Sequence, residues 1–236
     1  MSAINELVKI QRTETLTEQT YLSLRQLLMT GKLSPGEKLT GRQIAKAMNV
    51  SLTPSREAIG RLVAEGALIP GVYQGALVPE FTVSMYSEIS ECRLLLEGNM
   101  AYHSVPNFNV KDIYELEKLV EKMAKATDNK NFSQILHYNT EFHFKVYTMA
   151  KMPIMLNIVE SLWLKIGPTL NLLRPLYQET RQGISFHSDF IEAINCLIKA
   201  PIEIIRGKIY NVSSGQSVSL YEVINLIIFL FYNPIF

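Results

Sequence analysis

The 236-residue chain is poor in cysteine and tryptophan and carries almost no net charge: two Cys, one Trp, and 23 Lys and Arg against 22 Asp and Glu. Cys92 and Cys196 stand far apart with no C-x-x-C or finger spacing, which argues against a disulfide framework; reduced, buried thiols are the expectation. No glycine-rich phosphate loop follows a strand pattern, so a dinucleotide site of that kind is excluded. Met1 to Lys9 has no apolar run of a secretory signal. The longest mostly apolar stretch, Val223 to Tyr232, is well short of the ~20 residues that span a bilayer. A cytoplasmic chain with no membrane partner is the expectation. A net charge of +1 also means that any nucleic-acid surface must be local and offset by acid elsewhere.

What is present is a chain 47% hydrophobic, ample for packed cores. Residues 14–31 place Tyr21, Leu24, Leu27 and Leu28 on one helical face, with Gly31 as a stop. After a turn at Ser34-Pro35-Gly36, Thr40 caps a short helix with Ile44, Ala45 and Met48 inward, and Asn49 suits its left-handed end. A third helix follows, with Thr53 as cap, Pro54 at the first helical position and Ala58, Ile59 and Leu62 as the buried stripe. Ala67-Leu68-Ile69 and Ala76-Leu77-Val78 then flank Gly71 to Gly75 as a small hairpin. This order predicts a winged helix-turn-helix over 10–79. Pro79-Glu80-Phe81 reads as a linker, and amphipathic helices over roughly 83–103, 110–127, 131–150, 153–175 and 183–199 predict an antiparallel helical bundle over 80–200. The fold class is mainly α. The acids Glu88, Glu91, Glu97, Asp112, Glu115, Glu117 and Glu121 offset the basic first module.

The stretch 31–78 resembles the GntR family of bacterial regulators through Gly31-Lys32-Leu33-Ser34-Pro35-Gly36, Arg42-Gln43-Ile44-Ala45, Ser51-Leu52-Thr53-Pro54-Ser55-Arg56-Glu57-Ala58 and Glu65-Gly66-Ala67-Leu68. A recognition helix lays its N-terminal residues in the major groove, where base edges are legible. On that reading Arg42 and Arg56 contact DNA, Ser51, Thr53 and Ser55 donate to phosphates near the helix start, and Gln74 and Gly75 at the hairpin tip reach the minor groove. Leu52 stands where the family often has arginine.

The second module resembles the FadR-type C-terminal effector domain of that family. Arg93, the pair Leu96-Glu97 and Ala101 match its first-helix signature, and Asn139 to His143 carries its oxygen ligand four residues before a histidine, one face of one helix. The resemblance implies that Asn139, His143 and His187 hold a divalent metal such as zinc or nickel. The family's fourth ligand, a later histidine, has no counterpart in 205–215. Arg93 would pair with the carboxylate of a small organic acid, or else with Glu97 or another bundle acid.

Residues 207–227 resemble instead a late segment of nucleotide-sugar epimerases and dehydratases, so 201–236 reads as a divergent tail. Tyr114 and Lys118 spell a Tyr-x-x-x-Lys pair on an ordinary amphipathic helix. The expected function is a homodimeric, ligand-responsive regulator, a repressor, that binds an operator duplex and is not an enzyme. Two alternatives stay open: an enzyme using Asn139, His143 and His187 as a metal centre, and a helical interaction module that has lost DNA binding.

Overall fold

The computed structural model describes residues 15–72, 75–173, 182–199, 210–211 and 217–218. Contacts divide the chain into two compact units, Met1–Gln26 with Gly36–Val78, and Leu27–Pro35 with Pro79–Phe236.

In the first unit, α1 (Leu16–Met29) buries Tyr21 and Leu24. The helix α2 (Gly41–Met48) opens on a reciprocal cap: Gln43 N–H donates to Thr40 Oγ1 at 3.3 Å, and Thr40 N–H donates to Gln43 Oε1 at 3.1 Å. It closes on Asn49 in the left-handed conformation, φ 53° and ψ 45°, where Asn is one of the few non-glycine residues at ease. The third helix, α3 (Leu52–Ala64), begins earlier than the sequence pattern suggests. Ser51 is its N-cap, without a side-chain capping bond, so Thr53 lies inside the first turn. Pro54 is then the third helical residue, still among the positions whose N–H has no partner within the helix. Ala58, Ile59 and Leu62 form the buried stripe as expected.

The hairpin is part of a three-stranded sheet. Strand β1 (Lys38–Leu39), unforeseen because two residues show no alternation, pairs with β3 (Ala76–Leu77), and β3 pairs with β2 (Ile69–Pro70), all antiparallel. Lys38 and Ile69 both face Leu77 in register.

The second unit is helical as expected: α4 (Val83–Ser104), α5 (Val110–Asp128), α6 (Phe132–Met149), α7 (Pro153–Ile166) and α8 (Gln182–Lys199). The core includes Met100 of α4, Leu116 and Met123 of α5, Leu136 of α6, Trp163 of α7 and Ile194 of α8. The expected helix 153–175 stops at Ile166 and continues as a 3-10 helix over Gly167–Leu173. Pro168 explains the change, because its ring and missing N–H break the α-helical ladder. Cys92 corrects another expectation, being exposed on α4 rather than buried. Of the tail, Tyr210–Asn211 pairs with Ser217–Val218 as a short antiparallel ladder, β4 with β5, and the rest lies outside the described residues.

Candidate functional site

The predicted site residues fall into two groups, one in each unit. In the first, Arg42 at the start of α2 is exposed, as are Ser51, Thr53 and Arg56 at the start of α3. Gly41 shapes how these helices meet. A Cβ there would lie 3.1 Å from Arg56 Cγ and 3.2 Å from Leu52 Cδ1, so the bare glycine accepts the stems of both side chains. The leucine at the position where the family often has arginine therefore packs at the α2–α3 junction, while Arg56 keeps its head outward.

The remaining charges of α3 are already engaged within the unit. Arg61 lies 3.6 Å above the Tyr21 ring and pairs with Glu18 at 2.8 Å and Glu65 at 3.2 Å. Tyr21 donates to the Glu65 carboxylate at 2.9 Å, and both burial and that carboxylate raise its phenol above the ordinary tyrosine range. Thr17 donates to Glu57 at 2.7 Å. The face of α3 toward α1 is thus a structural clamp, distinct from the exposed face carrying Thr53 and Arg56.

Three of the expected DNA contacts fare differently. Ser55 is fully buried and donates to Ser51 O at 3.3 Å, which corrects its assignment to phosphate: its hydroxyl faces the core of the unit. Gly75 has a reason within the fold, because a Cβ there would come 2.8 Å from Leu39 O and prise β1 from the hairpin. Gln74 lies outside the described residues.

In the second unit the feature the sequence reading missed is a buried hub at Glu97. Its Oε1 accepts from Arg93 Nε at 2.7 Å and from Trp163 Nε1 at 2.8 Å, and its Oε2 accepts from Tyr147 Oη at 2.5 Å. Glu97 is 0% and Arg93 3% exposed, and the guanidinium also lies 4.5 Å above the Trp163 ring. Arg93 therefore takes the ion-pair alternative that the sequence left open.

Tyr147 links the hub to His143, whose Nδ1 is 2.9 Å from its hydroxyl. The phenol has one proton, and it points to Glu97. Toward His143 the same oxygen must accept, so the imidazole carries its proton on Nδ1 and its lone pair on Nε2. Burial, reinforced by the positive charge of Arg93, pushes the His143 pKa down to about 3, so the ring is neutral at pH 7. His187 on α8 brings its ring centroid within 5.4 Å of that of His143, and Phe142 packs edge-on to it at 4.5 Å. Asn139, one turn before His143, is 6% exposed, and its Oδ1 is buried with no hydrogen-bond partner among the described residues. Two imidazoles and an orphaned amide oxygen thus share one interior. Among the described residues no three of His, Cys, Asp and Glu are grouped as a metal site. The Tyr114–Lys118 pair is a surface contact, with the Lys118 amine 4.3 Å above the ring. No described helix is long and apolar enough to cross a membrane.

Comparison with known proteins places both units. Residues 16–78 match the family described as bacterial regulatory proteins, gntR family, and residues 88–195 match the FCD domain. The transcriptional regulator McbR of Escherichia coli K12 is 35% identical over 159 residues, 67% of this chain and 72% of McbR. The regulator YdhC of Bacillus subtilis is 27% identical over 143 residues, 60% of this chain and 64% of its own length. The solved structure of E. coli McbR/YncC superposes with a TM-score of 0.79 at 27% identity, covering 93% of this chain and 94% of that one. These relatives are regulators, which removes the enzyme alternative, and the epimerase resemblance of 207–227 is not borne out. The chain belongs to the GntR family of bacterial regulators, a DNA-binding transcriptional regulator with an FCD effector domain.

Proposed function

We propose that this chain is a homodimeric repressor that reads its operator through the exposed N-terminal face of α2 and α3 and is released by a small carboxylate bound in the helical bundle. The observation that carries the DNA contacts is the division of charge on α3. Glu57 and Arg61 are spent within the unit, while Arg42, Ser51, Thr53 and Arg56 are exposed together at the helix starts. Residues 15–78 hold seven Lys and Arg against four Glu, a local net charge of +3 suited to a phosphate backbone. Two copies of the chain would set two such faces about one DNA turn apart. Repression follows the relative RspR of E. coli K12, titled a transcriptional repressor and 21% identical over 154 residues.

In the bundle, Asn139, His143 and His187 would hold a divalent ion such as zinc or nickel, with neutral imidazoles as the correct ligand state. The buried Oδ1 of Asn139 supports this fit. Such an ion would supply positive charge for an effector carboxylate. Arg93, already paired with Glu97, would orient that ligand while sharing its charge.

The test is duplex binding by fluorescence anisotropy, using DNA from upstream of the chain's own gene at two salt concentrations, together with elemental analysis and native mass spectrometry of the purified protein. Tight, salt-sensitive binding that Arg42→Ala and Arg56→Ala both weaken is the expected result. Binding indifferent to both substitutions would refute the assigned face. A metal-free protein that takes up neither zinc nor nickel would refute the ion.

A further inference from the structure

Gly60 sits in the middle of α3, nine residues into a 13-residue helix, with no reason for glycine inside the fold. It is exposed, and a Cβ built there meets no atom within 4 Å. It is not among the residues with positive φ, so the backbone does not require glycine either. Gly41 and Gly75 differ on this point, since side chains there would collide with Arg56 and Leu39. In an exposed helix interior, glycine in place of alanine lowers the folding equilibrium about two- to fivefold. The fold bears that loss without any gain of its own.

Position decides what the loss is for. Gly60 lies one helical turn after Arg56 and two after Thr53, so the three share one exposed face. The adjoining flank, through Glu57 and Arg61, is held by Thr17, Glu18, Tyr21 and Glu65, and Gly60 falls between Thr53 and Arg56 on the side away from it. The open glycine is therefore on the flank that carries the proposed DNA contacts. A missing side chain matters where another surface comes against the helix backbone. We infer that Gly60 is a docking position for duplex DNA: the groove wall rests against the bare backbone of α3 there, which seats Thr53 and Arg56 at contact depth. This rests on the DNA-binding face described above.

The experiment separates the two ideas. A random-core duplex library is selected with the full-length wild-type protein, and the enriched duplex is the probe for wild type, Gly60→Ala and Arg56→Ala. Gly60→Ala should melt higher than wild type, by up to about 4 °C, while binding the duplex at least tenfold more weakly. A structural role would move both quantities in the same direction. Unchanged or tighter binding by Gly60→Ala, with Arg56→Ala impaired, would overturn the docking role alone. A lower melting temperature for Gly60→Ala would show that the fold itself needs the glycine and overturn it too. Failure of wild type to enrich any duplex would overturn the DNA-binding face and the docking position together.

Discussion

Neutralising Glu97 tests the bundle interior most sharply. In Glu97→Gln the side chain keeps its shape, but the Arg93 guanidinium, 3% exposed, is left facing an amide instead of a carboxylate. Breaking a buried pair by removing one charge costs roughly 3–5 kcal/mol, against a total stability of about 5–15 kcal/mol for an ordinary domain. The change also reorders protons. With the Gln carbonyl serving Arg93 and Trp163, its NH2 meets the Tyr147 hydroxyl, which must turn and donate to His143 Nδ1 instead. The His143 tautomer then switches to Nε2–H. Urea unfolding at pH 7 of wild type, Glu97→Gln, Arg93→Met and the double variant measures the first effect, and ring-nitrogen chemical shifts the second. Each single variant should lose several kcal/mol and the double should recover part of the loss, with a coupling of about 0.5–3 kcal/mol. Single losses below about 1 kcal/mol, or strict additivity, would refute the hub, and an unchanged tautomer would refute the proton assignment.

Other expectations follow from the same geometry. Arg42→Ala and Arg56→Ala should each reduce the slope of log affinity against log salt by about 1 if the lost contact is to phosphate, whereas loss of a base contact should relax sequence preference at one position. Thr40→Ala removes the α2 cap and should cost about 1 kcal/mol, read as a lower melting temperature. His143 has a folded pKa of about 3, below the 6.5 of a free imidazole, so the unfolded chain binds the extra proton between those values. In chelator-treated protein its contribution should be constant above pH 6.5 and decline as pH falls, by up to about 1.4 kcal/mol per unit. The difference in stability between wild type and His143→Gln should show that slope, and a difference independent of pH would contradict the neutral, buried imidazole.

Much of the fold was legible because its signals are local. Thr40, Asn49 and the apolar stripe of α3 act within a turn or two of themselves, and the bundle helices repeat their apolar positions over several turns. What was lost needed tertiary knowledge. Strand β1 is two residues long and exists because β3 pairs with it. The start of α3 lies two residues before the expected one, at Ser51, and Ser55, three and four residues before Ala58 and Ile59, falls on the buried stripe that those residues mark. In the bundle, the Arg93–Glu97 spacing was readable on one helix, and Asn139, His143 and Tyr147 follow at successive intervals of four. Tyr147 could have been found that way. Trp163, which reaches Glu97 from α7, could not, since no sequence interval encodes a contact between separate helices.

The three-stranded sheet of the first unit has strands of only two residues each. Such a ladder contains few hydrogen bonds, and Val72 beside it is 82% exposed. Opening its tip at Val72 therefore requires little beyond local fraying, whereas parting its base exposes Leu39, Ala76 and Val78, and α2 and α3 cannot separate without exposing Ile44, Ile59 and Leu62 to water. Amide exchange should rank tip and helices in that order, with the wing tip exchanging many times faster than the helices. Recognition would then begin from a rigid pair of helices, and the wing tip would be the adjustable part that settles onto the duplex after first contact.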